Sequence, residues 1–346
     1  MYGGAIVSND EHIFPEWFSP AAGIASKVYE AVVEMRNARF DRGVGIRSVD
    51  RPVISVGNIV AGGTGKSPMV RWVAEWALAG DVLPLIALRG YRSHQGKSDE
   101  AMEHQAALPN AKIAVGANRF AAISAAVAGD PSIGVVIMDD GFQHRALARN
   151  LDLVLIDATC SRLDGKLLPL GWLREPVKNL SRASGVIVTH AQQIDHELDK
   201  KIHALHGRSA LAWCDHFWDG LDVRTVDGTK IVQANESLRG RRLSVWAGIA
   251  RPEAFINQLK TFGAEIVHVA SLGDHARYGS TAVARLTQAA HAAGAMAIAT
   301  TGKDLVKISG DMDKMSLPLI IPRLRVKFCA GEDAFRGLLE KCVSRR

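Results

Sequence analysis

A chain of 346 residues is longer than one ordinary hydrophobic core requires and predicts two domains. Hydrophobic residues at 47% and charged residues at 23% are the proportions of a soluble globular protein, and the net charge of +6 comes without the Lys/Arg block or aromatic-interleaved basic stripe of a nucleic-acid binder. The four cysteines, Cys160, Cys214, Cys329 and Cys342, have no C-x-x-C spacing, which argues against a zinc site or a disulfide framework and for a reducing, cytosolic setting.

The first 15 residues read as irregular, with neither the basic nor the apolar region of a signal peptide. From Ser19-Pro20 a helix is expected over about 20–42, with Ile24, Val28, Ala31, Val32 and Met35 on one face. Trp17 and Phe18 stand before it, and Lys27, Arg36, Arg39 and Arg42 surround it with positive charge. Such a stripe either lies in a bilayer interface or docks on the domain core. No segment offers the ~18 uninterrupted apolar residues of a spanning helix, so membrane contact would be peripheral.

A β-type run, Pro52 to Val56, precedes Val60-Ala-Gly-Gly-Thr-Gly-Lys-Ser67, and a helix-forming stretch, Met69 to Ala77, follows. Strand, glycine-rich turn, Lys-Ser and helix form a cradle for nucleotide phosphates. Ala61, Gly62, Gly63, Thr64 and Gly65 would turn the backbone N–H groups toward an anion, with Lys66 reaching the phosphates and Ser67 ligating Mg²⁺. Val60 occupies the position of the first glycine of the strict motif. The expectation is a nucleoside-triphosphate binder.

Further strands are read at Leu83–Leu88, Lys112–Val115, Ile133–Met138, Asp152–Ile156 and Gly185–Thr189, with a polar loop from Ser93 to Glu100 and a helix from Arg119 to Ala128. Apolar strands alternating with helices predict a parallel sheet covered on both faces. After about residue 220 the texture changes, and a second, smaller strand–helix–strand series begins at Leu243. The expected division is a phosphate-loop domain over 1–222, a smaller α/β domain over 223–326, and a return of 327–346 to the first. Asp139-Asp140, closing an apolar strand, is the second nucleotide signature, because a carboxylate there can hold Mg²⁺ opposite Ser67.

Together, Ser55 to Pro68 and Asp139-Asp-Gly-Phe-Gln-His144 resemble the motifs of the tetraacyldisaccharide 4′-kinases, the lipid A kinases. Leu88-Arg-Gly-Tyr91, Ser98-Asp-Glu100, Arg119, Leu173-Arg-Glu-Pro176, Gly248-Ile-Ala-Arg-Pro252, Asp274-His275 and Thr300-Thr-Gly-Lys-Asp304 agree with that family in order. The resemblance spans about residues 17 to 328. It implies phosphoryl transfer from MgATP to the 4′-hydroxyl of a tetraacylated glucosamine disaccharide 1-phosphate. It also implies a P-loop parallel core joined by a β-ribbon to the second α/β domain, and an amphipathic N-terminal helix on the cytoplasmic face of the inner membrane.

By the same resemblance Asp99 is the base that activates the sugar hydroxyl with His275, Lys66 belongs to the phosphate loop, and Glu100 and Asp139 are Mg²⁺ ligands alongside Ser67. Asn58, Arg119, Asp140, Gln143, His144, Arg174 and Glu175 fall where the family keeps polar site residues. The chain departs from the family pattern at Ala101, Ala276 and Gly302, which touches the loop geometry rather than the base pair. The other reading is a P-loop regulatory or metallochaperone-type NTPase driving a protein partner. No Asn-Lys-x-Asp of a GTPase is present, and nothing points to an obligate protein partner.

Overall fold

The computed structural model describes residues 19–90, 98–249, 252–272, 278–308 and 315–344. In chain order the elements are α1 (Ser19–Asp41), β1 (Val53–Gly57), α2 (Lys66–Ala79), β2 (Leu83–Leu88), α3 (Asp99–Ala107), β3 (Lys112–Val115), α4 (Arg119–Gly129), β4 (Ile133–Asp139), β5 (Leu151–Asp157) and β6 (Gly185–Thr189). There follow α5 (His196–His206), β7 (Ala212–Arg224), β8 (Lys230–Gln233), β9 (Arg242–Ala247), α6 (Pro252–Thr261), β10 (Glu265–Ser271), α7 (Ser280–Ala292), β11 (Ala297–Thr300), α8 (Gly302–Ile308), β12 (Leu319–Ala330) and α9 (Glu332–Val343). The fold is α/β with parallel sheets, as the alternation of apolar strands and helices predicts. Two compact units emerge: residues 1–90, 108–216 and 326–346 form the first, and residues 91–107 and 217–325 the second.

The first unit is built on a parallel sheet in the order β7-β6-β5-β1-β4-β2-β3. Strand β1 sits between β4 and β5, with Ile54 beside Ile137 on one side and Leu151 on the other. Strands β1, β4, β5 and β6 are buried along their whole length, which is why they read as continuous apolar runs rather than alternating ones. Helix α2 covers the sheet through Met69, Val70, Val73, Ala74 and Ala77. Helix α5 is closed at both ends: Asp195 accepts hydrogen bonds from Glu197 N and Leu198 N, and Gly207 ends it at φ 84°. Phe328 and Phe335, near the end of the chain, return to pack on Trp72 of α2 at centroid distances of 5.0 and 5.2 Å.

Helix α1 docks by a face the apolar spacing does not mark. Ala22, Ser26, Val33 and Asn37 are buried, Ser26 Oγ donates to Leu167 O at 3.1 Å, and the Tyr29 hydroxyl donates to Arg174 O at 2.7 Å. The stripe itself faces outward, with Ile24 70% exposed, Val28 60%, Val32 53% and Met35 70%. Among the described residues that stripe does not dock on the core: the face of Ala22, Ser26, Val33 and Asn37 makes the tertiary contacts instead. Trp17 and Phe18 lie outside the described residues.

In the second unit β10-β9-β11-β12 run parallel, and β8 pairs antiparallel with the end of β7. Of the polar run read from Ser93 to Glu100, residues 93–97 lie outside the described residues, and its last two residues are helical. Asp99 and Glu100 form the acidic first turn of α3, where carboxylates complement the helix dipole. Helix α3 packs against α8. Within α8 a buried Lys307 Nζ lies 2.7 Å from Asp304 Oδ1, while Asp304 Oδ2 accepts from Gly248 N and from the Thr301 hydroxyl.

Candidate functional site

In an open parallel sheet, ligands bind beyond the carboxyl ends of the strands where the strand order reverses. In the first unit that point is the end of β1, between β4 and β5, and the loop of residues 58–65 leaves from it. Two glycines make the turn possible: Gly62 has φ 129°, and Gly65, capping α2, has φ 77°. Asn58 is fully buried, and its side-chain amide braces the loop from within by donating to Thr64 Oγ1 at 2.9 Å and to Gly62 O at 3.4 Å. Thr189, at the end of β6, donates its hydroxyl to Thr64 O at 3.0 Å.

Lys66 opens α2, with Nζ 3.5 Å from Asp140 Oδ1 and 3.4 Å from Gly62 O. Asp140 also receives both of its oxygens' contacts from Arg174 Nη1, at 2.9 and 2.8 Å. Burial alone would raise the Asp140 pKa; Lys66, Arg174 and Arg119 outweigh it and hold the carboxyl below its ordinary value. Arg119 is 3% exposed and donates to the backbone oxygens of Asp139 and Asp140 at 2.7 and 3.0 Å, fixing the turn in which Asp140 takes a left-handed φ of 52°. The Ser67 hydroxyl donates to Asp139 Oδ2 at 3.4 Å.

Behind this layer, Gln143 donates to Asn58 O and to Glu175 Oε1, both at 2.8 Å. Glu175 has no exposed side-chain surface, and its Oε2 receives Asn179 at 3.0 Å and Asn37 at 3.3 Å, with Arg182 Nη1 at 2.9 Å. His144 is pushed down to about 4 by burial and by Arg119, Arg149 and Arg89, so the imidazole is neutral near pH 7. The structure thus gathers Asn58, Lys66, Ser67, Arg119, Asp139, Asp140, Gln143, Arg174 and Glu175 around one loop. Asp99 and Glu100 belong to α3 in the second unit. His275 falls outside the described residues.

One group was not singled out from sequence. Asp157 closes β5, His190 follows β6, and His216 lies in β7. His190 Nδ1 stands 3.3 Å from Asp157 Oδ1, and His190 Nε2 is 3.0 Å from His216 Nδ1. The His216 ring is pressed against Gly65: a Cβ on that glycine would collide with His216 Cε1. The sequence signal is only a polar residue in or just after each of three consecutive strands, too common to single out.

A hydroxyl and a carboxylate facing one another behind a lysine at a helix N-terminus can bind a polyphosphate and a hard divalent cation. Comparison with known proteins agrees with the polyphosphate part of that chemistry. The family model described as tetraacyldisaccharide-1-P 4′-kinase matches residues 22–344. A tetraacyldisaccharide 4′-kinase of Geobacter sulfurreducens is 35% identical over 324 residues, covering 88% of this chain and 88% of the relative. Its counterpart in Geobacter metallireducens is 34% identical over 314 residues, covering 85% and 90%. Among solved structures, LpxK from Aquifex aeolicus, crystallised in complex with ATP, superposes with a TM-score of 0.70 at 24% identity, over 92% of this chain and 97% of that one. That likeness supports the fold.

Proposed function

The chain belongs to the tetraacyldisaccharide-1-P 4′-kinase family, and from that premise we propose how its residues divide the work. It is a kinase of lipid A biosynthesis, phosphorylating the 4′-hydroxyl of a tetraacylated glucosamine disaccharide 1-phosphate. ATP is the phosphoryl donor. The regulatory NTPase reading is not favoured. The observation that carries the reading is the pairing of Lys66 and Ser67 with Asp140 and Asp139 at the reversal point of the sheet.

Lys66 neutralises charge on the transferring group, and the N–H groups of the loop and the start of α2 hold the remaining phosphate oxygens. Asp140 and Gly62 O aim Lys66 and restrict its side chain. For Mg²⁺ the donor set fits: the Ser67 hydroxyl and Asp139 carboxylate are hard oxygen ligands 3.4 Å apart. Two protein ligands suffice for an ion that keeps several waters and phosphate oxygens in its shell. When bound there, Mg²⁺ supplies charge neutralisation on the phosphates. Glu100 is assigned as a further ligand, Asp99 as the base that accepts the proton of the attacking hydroxyl, and His275 as the group that orients Asp99. These three roles rest on the resemblance of the motifs. As domains we assign a phosphate-loop domain over 1–222 with 327–346 and a smaller α/β domain over 223–326, although residues 91–107 cluster with the second compact unit.

The enzyme is placed at the cytoplasmic face of the inner membrane as a peripheral protein. This is supported by the outward stripe of α1, with Lys27, Arg39 and Arg42 exposed beside it. Among the described residues no helix is long and apolar enough to cross a membrane.

Transfer of labelled γ-phosphate from ATP to a tetraacyl disaccharide 1-phosphate tests the reading. Lys66→Ala should abolish transfer with the fold intact, and Asp99→Ala should lower turnover far more than ATP affinity. Hydrolysis without transfer by the unaltered enzyme, or near-full activity of Lys66→Ala, would refute it.

A further inference from the structure

The groups around the phosphate loop on its β4 side have assigned tasks; those on the other side, from β5, β6 and β7, do not. Two contacts come from there. Thr189 holds the carbonyl of Thr64 at 3.0 Å, and the His216 ring lies flush against Gly65. Gly65 is the residue whose left-handed φ of 77° turns the loop into α2, immediately before Lys66. Whatever fixes the His216 ring therefore fixes the turn that aims Lys66 and the first N–H groups of α2.

The ring is fixed by polar contacts as well as packing: His216 Nδ1 is in hydrogen-bond reach of His190 Nε2, and His190 Nδ1 stands 3.3 Å from the Asp157 carboxylate. Asp157 stays ionised: its burial is outweighed by hydrogen bonds from His190 and Thr159, which hold its carboxyl down to about 2. In the neutral His190 tautomer that carries its proton on Nδ1, facing the Asp157 carboxylate 3.3 Å away, Nε2 is an acceptor. The 3.0 Å contact then needs a proton on His216 Nδ1, so the neutral His216 presents a bare Nε2. The two rings meet edge to face at 4.6 Å with an interplanar angle of 80°, so neither turns without breaking the bond between them. His190 sits at φ 54°, a backbone conformation that side-chain-bearing residues rarely adopt. His216 Nε2 is sealed from solvent without a hydrogen-bond partner, directly under the Gly65 turn. A sparsely populated backbone and an unpartnered buried nitrogen persist only where the surroundings impose them, and here both converge on one glycine.

We propose that His216, oriented through His190 by Asp157, is a positioning residue for the nucleotide: it sets the Gly65 turn of the phosphate loop and thereby the placement of the triphosphate. It does not touch the reacting atoms. This rests on the reading of the loop as the ATP site and names a determinant of ATP affinity within it.

The experiment measures ATP dissociation constants, KM for ATP, KM for the lipid acceptor, kcat and thermal midpoints for the unaltered enzyme and four variants. His216→Ala is expected to raise the ATP dissociation constant and KM about tenfold, with the acceptor KM within about twofold. His216→Asn keeps an N–H where Nδ1–H donates to His190 and should restore most of the affinity. Asp157→Asn should weaken ATP binding a few-fold. Combining it with His216→Ala should be no worse than His216→Ala alone, since the carboxylate acts only through that ring. Unchanged ATP affinity in His216→Ala overturns the proposal, and so do multiplicative losses in the double variant. If His216→Ala fails to fold, His216→Asn decides: ATP affinity reduced as far as in Asp157→Asn or further, despite its retained N–H, counts against the chain. Failure of the unaltered enzyme to bind ATP would overturn the nucleotide reading itself, and the inference with it; normal binding that ignores His216 overturns the inference alone.

Discussion

Replacing Ile24, Val28 and Met35 together by glutamine should detach the protein from lipid bilayers without weakening its fold. The three side chains are 70%, 60% and 70% exposed, so most of their apolar surface remains available to an interface. Full burial of such a side chain is worth about 1.5–3 kcal/mol, which scaled by these exposures gives about 1–2 kcal/mol each and about 4 kcal/mol for the three. A loss of that size lowers the vesicle partition coefficient by about a thousandfold. Glutamine is a good helix former and none of the three faces the core, so urea stability should change by less than about 1 kcal/mol. Co-sedimentation with vesicles containing anionic lipid, alongside urea titration and ATP binding on the same variant, reads all three quantities. Unchanged vesicle binding would sink the interfacial role of α1. A collapse of stability would mean that the stripe is buried after all, contrary to its exposure.

Glu175→Ala should cost about 3–5 kcal/mol, because a buried carboxylate is removed from beside Arg182, Gln143, Asn37 and Asn179, whose donors lose their acceptor. A loss below about 1 kcal/mol in urea titration would show that these groups find other partners. Stability should also fall with pH between about 6.5 and 4. Burial, helped by His190, pushes His216 down to about 4, and His144 is pushed to about 4 by burial and its arginine neighbours. With folded pKa values below the unfolded ones, the unfolded chain takes up protons that the folded chain refuses. The stabilisation is full above about pH 6.5 and lost toward pH 4. For His216 this amounts to about 3 kcal/mol, with less from the more open His144. A urea midpoint that stays flat from about pH 7.5 to 4.5 refutes both assignments.

The phosphate loop and the Asp139-to-His144 turn were legible because each is contiguous: the residues that meet in space are neighbours in the chain, and local geometry forces their types. Gly65 and Lys66 announce themselves in this way. The group formed by Asp157, His190 and His216 does not, since it is assembled from three strands whose adjacency depends on the order of the sheet. For α1, periodicity showed that the helix has an apolar side but not what that side meets. Ser26 and Asn37, unremarkable in the sequence, turned out to be the docking contacts. At Asp99 a polar composition was read as a loop, whereas acidic residues at a helix start are favoured by the helix dipole.

The first unit is discontinuous, and its last piece carries the aromatic rings that cover Trp72. A ribosome delivers the chain in order, at about 5–20 residues per second. Helix α2, with the phosphate loop at its head, thus emerges well before Phe328 and Phe335, which close over it. For most of synthesis the outer face of α2 stays uncovered, and the nascent chain is open there to chaperones and proteases. A late piece of the unit thus closes over a helix made early, so removal of Phe328 and Phe335 should be felt as poor yield before it is felt as slow catalysis.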